Sequence, residues 1–222
     1  MTPRIVILSA PSGGGKTVVT KELLKRRPDL FGYSVSATTR QPRPGEKDGQ
    51  AYHFLTRAEF ERRSNAGEFL ESAEYAGEHY GTLRVEVERV LGCGLNVLLD
   101  IEVKGAQQVR REYPTALAVF LLPPSAIVLL ERLKGRKTES TEALAARFEI
   151  AVGELVASLS PLKYDHVVEN EDLNRTVESI VRIVENPSKP DNLPERITKV
   201  ERLIADLKVE VRKLHDELKE PR

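Results

Sequence analysis

Ile5-Val6-Ile7-Leu8 is a short, unbroken apolar run rich in β-branched residues, the pattern of a strand buried on both faces. Three further runs have the same character: Asn96–Ile101, Ala116–Leu122, stopped by Pro123 and Pro124, and His166–Val168. Between and after them, apolar positions recur at helical spacing over 16–27, 104–112, 125–134, 142–159 and 173–185. Strands alternating with helices predict an α/β fold whose central parallel sheet is covered by helices on both faces through right-handed crossovers.

Residues 33–90 break that rhythm. Short segments such as Tyr33–Ala37 and Ala51–Phe54 lie among turns at Pro42, Pro44-Gly45 and Asp48-Gly49, and a helix is expected over 57–66. We read about 35–90 as a small mixed α/β insertion into a core made by 1–34 and 91–186. Gly135-Arg136-Lys137-Thr138-Glu139-Ser140-Thr141 is a polar break in a helical region, the pattern of a short lid spanning about 135–147.

Residues 187–193, opening Pro187-Ser188-Lys189-Pro190, read as a linker. Over 194–222 the apolar residues Ile197, Val200, Ile204, Leu207, Val211, Leu214 and Leu218 are spaced alternately by three and four. A heptad seam this narrow needs a partner surface. Two candidates remain: a second copy, giving a parallel homodimeric coiled coil, or the chain's own domain.

Composition narrows the class. With Lys plus Arg and Asp plus Glu both at 34, the formal net charge is zero. That balance argues against a chain that coats nucleic acid, whose affinity rests on excess positive charge. Hydrophobic residues make up 40% of the chain, enough for a packed core. Cys93 is the one cysteine, so no intrachain disulfide can form and a reducing compartment is the natural setting. It reads as a small, partly buried residue after a helix. The first apolar run is too short for a signal peptide, and no stretch approaches the roughly 20 apolar residues of a membrane helix. The expectation is a cytoplasmic chain with no membrane partner.

The most specific local signal is Ala10-Pro11-Ser12-Gly13-Gly14-Gly15-Lys16-Thr17, placed directly after the first strand and opening the first helix. This is the setting of a phosphate-binding loop. Glycines let backbone N–H groups converge on phosphate oxygens, and the helix N-terminus adds its positive dipole end. Lys16 can reach the β- and γ-phosphates of ATP, and the Thr17 hydroxyl can ligate Mg²⁺. Ala10 stands where the usual pattern has glycine. Asp100, ending a buried strand, is a second candidate for the metal shell, most simply through water, unless it caps the next helix.

A second segment, Ser36-Ala37-Thr38-Thr39-Arg40-Gln41-Pro42-Arg43-Pro44-Gly45-Glu46, carries two arginines three apart on a proline-stiffened loop. Arginine forks suit phosphate, and Tyr52, Tyr80 and Thr82 add hydroxyls. With this segment on the page, the chain resembles the guanylate kinase family over about residues 4–185. The matching pieces are APSGGGKT, FGYSVSATTRQPRPGEKDGQAYHF, FLESAEYAGEHYGT, VLLDIEVKGAQQVR, LKGRKTES and YDHVVEN, in one order. The heptad tail lies outside the resemblance.

The resemblance implies a P-loop kinase that moves a phosphoryl group from ATP to GMP, and to dGMP as well, with Mg²⁺. Arg40, Arg43, Tyr52 and Tyr80 would hold the GMP phosphate, and Ser36, Glu71, Thr82 and Glu102 would surround the guanine. Lys16, Arg40, Arg132, Arg136 and Arg147 would act on the transferring group, and Asn170 would lie near the adenine. The family often has Asp at the place of Glu102, Ser at that of Thr82 and a small residue at that of Lys137. Guanine presents N1–H and N2–H₂ donors on one edge, and carboxylates are pure acceptors, so Glu71 and Glu102 suit it. The competing reading is a protein-binding module of the same fold without catalysis; Gly15, Lys16, Thr17 and the lid arginines weigh against it.

Overall fold

A computed structural model of the protein describes residues 2–75, 77–134, 141–159, 164–186 and 193–219. Residues 135–140 of the expected lid, Arg136 among them, and linker residues 187–192 lie outside the described residues. The elements run in the order β1 (Ile5–Ser9), α1 (Lys16–Arg26), β2 (Phe31–Tyr33), β3 (Ala37–Thr38), β4 (His53–Phe54), α2 (Arg57–Asn65), β5 (Phe69–Tyr75), β6 (Glu78–Leu83), α3 (Arg84–Gly92), β7 (Asn96–Asp100), α4 (Val103–Glu112), β8 (Leu117–Leu122), α5 (Ala126–Lys134), α6 (Thr141–Ser158), β9 (His166–Glu169), α7 (Leu173–Glu185) and α8 (Leu193–Lys219). A five-stranded sheet has the order β2-β7-β1-β8-β9, and a four-stranded sheet the order β4-β3-β6-β5. The β2–β7 and β8–β9 pairs are parallel. Every residue of β1 and β8 is buried, as continuous apolar runs covered on both faces require.

The chain forms two compact units, Met1–Ile7 with Leu23–Leu117 and Leu8–Glu22 with Ala118–Arg222. The first holds the four-stranded sheet. Its core is Ala37, Phe60, Phe69 and Leu83, with Leu55 against it, and the Phe60 and Phe69 rings stack at 4.4 Å. Helix α2 begins where the Thr56 side chain accepts from the Glu59 N–H, closing one orphan donor of the first turn. Helix α4 lies on β5, where the Gln108 amide both accepts from Ser72 N at 3.1 Å and donates to Ser72 O at 2.9 Å. An edge strand is thereby hydrogen-bonded by a side chain.

The structure resolves the insertion further and corrects the expectation for Cys93. Tyr33–Ala37 is not one strand: Phe31–Tyr33 joins the parallel sheet through β7 and Ala37–Thr38 pairs with β4 and β6. The antiparallel hairpin β5–β6 and helix α3 were not separated within the insertion. Glu71, Glu74 and Glu78 lower the strand signal there, because Glu is a poor strand former whose cost only tertiary packing outweighs. Cys93 follows a helix but is exposed.

In the second unit α8 packs along α6 and α5 of its own chain. Val200, Leu203, Ile204 and Leu207 are buried, a stripe at i, i+3, i+4 and i+7. Leu203 lies off the strict seam, and including it widens the stripe to that of a core-facing helix. Arg196, buried beside it, donates to Tyr164 O. Seam positions Val200, Ile204 and Leu207 are therefore covered within one chain. Leu207→Ala should lower the free energy of unfolding by about 2–5 kcal/mol. A denaturant titration should show this with a midpoint independent of protein concentration; a midpoint that rises with concentration would mark the seam as a dimer interface instead.

Candidate active site

The loop between β1 and α1 is shaped by glycine at the positions where glycine is needed. Gly13 and Gly15 hold φ of 80° and 88°, a region costly for other residues. A Cβ on Gly15 would also lie 2.5 Å from Asn170 Nδ2. The loop closes through Gly14 N donating to Pro11 O at 2.7 Å. A Cβ on Gly14 would lie 2.8 Å from the Ala10 Cβ. Ala10 in place of the usual first glycine is thus accommodated because position 14 carries no side chain. Lys16 and Thr17 open α1, and the next two N–H groups, of Val18 and Val19, donate to Gly15 O at 3.1 and 3.2 Å. Thr17 is exposed and Lys16 half-buried.

Side chains distant in sequence hold this loop. Asn170, buried at the end of β9, donates from Nδ2 to Gly14 O at 2.8 Å, and its Oδ1 accepts from Thr176 at 3.2 Å. Expected beside an adenine, Asn170 is engaged in bracing the loop. Arg132 on α5 donates from Nη2 to Asn170 O at 3.0 Å. Its Nη1 is buried with no hydrogen-bond partner among the described residues and lies 3.7 Å from where a Gly15 Cβ would stand. From α6, Glu154 accepts from Ser12 N at 2.6 Å and Arg147 donates to Leu133 O at 3.2 Å. Glu154 was missed in sequence because 142 residues separate it from its partner.

The other expected residues belong to the first unit. Arg40 Nη2 donates to both Glu46 oxygens, at 3.0 and 2.9 Å, and Nη1 to Gln41 O at 2.6 Å. Its guanidinium lies over the Tyr52 and Phe54 rings at 5.5 and 5.9 Å, and Tyr52 packs edge-on to Tyr80 at 6.0 Å. Burial works to lower the Arg40 pKa, but Glu46 and then Tyr80 outweigh it and raise it. Glu46 also accepts from Arg43 N at 2.8 Å. That backbone bond, against a smaller effect of burial and with help from Arg40, holds its carboxyl below the usual range. The Arg43 side chain is exposed. Glu46, assigned no role from sequence, therefore organises the loop that carries both arginines.

Glu71 and Thr82 are direct cross-strand partners of β5 and β6, next to a register shift between Phe69 and Glu71. Such irregularities re-aim side chains. Glu71 is buried, and its Oε1 accepts from the Thr82 hydroxyl at 2.6 Å. Half-buried Ser36 accepts at its backbone O from His53 N at 2.9 Å. Asp100 ends β7. Burial and then the charges of Asp100 and Tyr52 raise the pKa of Tyr33. Glu102, not Asp100, occupies the N-cap position of α4, and its carboxylate makes no capping bond.

The expected residues thus fall into two groups. The loop, Arg132, Arg147 and Asn170 belong to one unit. Ser36, Arg40, Arg43, Tyr52, Glu71, Tyr80, Thr82, Asp100 and Glu102 belong to the other.

Residues 2–187 match the family model described as guanylate kinase. The chain belongs to the guanylate kinase family. It is 45% identical over 181 residues to the guanylate kinase of Synechocystis sp., covering 82% of this chain and 93% of that one. It is 45% identical over 185 residues to that of Thermobifida fusca, covering 83% and 92%. The crystal structure of guanylate kinase from Anaplasma phagocytophilum superposes with a TM-score of 0.62 at 32% identity, covering 83% of this chain and 85% of that chain. Membership carries the transferase activity of the family, ATP-dependent phosphorylation of GMP, and favours it over a non-catalytic module. Helix α8 lies beyond the family match. Among the described residues no helix is long and apolar enough to cross a membrane.

Asn170→Ala, which removes the brace on Gly14 O, should raise KM for ATP and for ITP in the same proportion, about tenfold. An increase confined to ATP in steady-state assays would instead support the expected place of Asn170 near the adenine.

Proposed function

We propose that ATP lies with its phosphates on the Ala10–Thr17 loop and that GMP is held by the Arg40–Glu71 group. The observation that supports this most directly is the buried Arg132 Nη1 beside Gly15, with no partner among the described residues. A buried guanidinium donor without an acceptor calls for an anion. Lys16 and the loop amides take the β- and γ-phosphate oxygens. Arg132 and Arg147, with Arg136 from the lid, neutralise charge on the group in transit.

Arg40, Arg43, Tyr52 and Tyr80 take the GMP phosphate. Glu71 and Glu102, with Ser36 and Thr82, face the guanine edge. Adenine lacks the N1–H and N2–H₂ pair and would leave these acceptors unmatched, a mismatch that can reject an analogue about 10⁴-fold. The reading extends to dGMP, as the family resemblance implies.

An oxygen of the GMP phosphate attacks the γ-phosphorus in line, forming the new O–P bond. The bond from γ-phosphorus to the bridging oxygen breaks, and its electron pair leaves with ADP. No base is needed, because the second pKa of a phosphate is about 6 and the attacking oxygen is already ionised. The chain's work is to position two polyanions, screen their repulsion and keep water from the γ-phosphate.

The donor set fits Mg²⁺ in a particular way. Among the described residues no group of three or more His, Cys, Asp or Glu side chains is placed to hold a metal. The Thr17 hydroxyl, and Asp100 through water, would hold Mg²⁺, an ion that takes oxygen ligands. When bound, the ion would supply positive charge to the triphosphate.

A coupled ADP-release assay with ATP, Mg²⁺ and each nucleoside monophosphate should show turnover with GMP and dGMP and at least about 10³-fold lower kcat/KM with AMP. Comparable turnover with AMP would overturn the guanine assignment. Lys16→Ala should lower kcat about 10²–10³-fold with GMP affinity within threefold of the parent. Near-normal turnover would remove Lys16 from the transfer step.

A further inference from the structure

Gly105 sits in the first turn of α4 with ordinary helical geometry, so its backbone does not require glycine. Alanine is the better helix former there. What glycine provides is space. A Cβ at this position would lie 2.4 Å from Glu71 Oε2 and 3.0 Å from Glu71 Cδ. The carboxylate occupies the volume that any other residue at 105 would fill.

The helix has no easy way to retreat. One turn further along the same face, Gln108 binds both the N–H and the C=O of Ser72, the residue following Glu71. That pair of bonds fixes the distance between α4 and β5. Glu71 is held from the other side by the Thr82 hydroxyl at Oε1. A methyl group at 105 therefore shifts the end of the Glu71 side chain, the flexible part of this arrangement, against its bond to Thr82. The helix N-terminus also favours negative charge on the carboxylate where it now sits.

We propose that Gly105 is a positioning residue for guanine recognition: its missing side chain is the mould that sets the Glu71 carboxylate. This rests on the reading that Glu71 binds the guanine edge. Gly105 touches no substrate and acts only through Glu71. Its substitution should leave the ATP side untouched and should separate stability from selectivity, since a better helix former is introduced while an acceptor is moved.

The test compares Gly105→Ala, Glu71→Gln and the double variant in steady-state kinetics and thermal unfolding. Gly105→Ala should raise KM for GMP at least tenfold, with KM for ATP within twofold and a melting temperature equal to or above that of the parent. In the Glu71→Gln background the same change should alter KM for GMP less than twofold, because the group it displaces no longer contributes.

If Glu71→Gln raises KM for GMP and Gly105→Ala does not, the role of Gly105 falls and the guanine reading stands. If neither change raises it, the guanine reading of Glu71 falls, and this inference with it. Equal losses for GMP and ATP, a lowered melting temperature, or full additivity in the double variant would show a general packing role and overturn the proposal. A Gly105→Ser variant gives a second readout should alanine prove silent: its larger side chain must displace Glu71 further, and an unchanged KM for GMP there also overturns it.

Discussion

Like charges in close approach are the constraint to which this fold answers. A nucleoside triphosphate and a nucleoside monophosphate repel one another, and transfer needs their reacting atoms within bonding reach. Positive groups must therefore be fixed before the substrates arrive, since arranging them at the moment of reaction would cost the free energy they supply. The loop after β1 shows how this is done. Glycines bring backbone amides together, and Asn170, Arg132 and Glu154 then fix the loop from three different elements. The Arg40 loop follows the same logic, with Glu46 holding one arginine by its side chain and the other by its backbone.

The contacts that brace the loop after β1 are buried or half-buried and join residues far apart in sequence, whereas Glu46 acts on arginines only six and three residues away. Low local dielectric strengthens such contacts when they are complete and makes them costly when they are not. The two units thus carry their polar networks on regular elements: α5, α6 and β9 on one side, β5, β6 and α4 on the other. Loops carry the groups we propose for phosphate, and helices and strands hold the loops.

Much of this was legible from the sequence, for physical reasons that differ by element. The runs Ile5–Leu8 and Ala116–Leu122 identify buried parallel strands because only strands covered on both faces can be apolar throughout. The glycine loop is legible because its chemistry is local. The β5–β6 hairpin was harder, since its glutamates lower the strand signal. The Glu154–Ser12 bond and the fit of Gly105 against Glu71 carry no sequence signal at all: one spans most of the chain, and the other is an absence of atoms. The tail shows a different limit. Its heptad spacing says that a surface must be covered, and only the packing of Leu203 with Val200, Ile204 and Leu207 says by what.

Helix α8 has a consequence for how the protein is delimited. The family match ends at residue 187, yet apolar side chains of 200–207 are among the buried core of the chain. The buried core therefore reaches past the family match. A truncation at residue 187 would strip α5 and α6 of their cover and leave a sticky flank on those two helices.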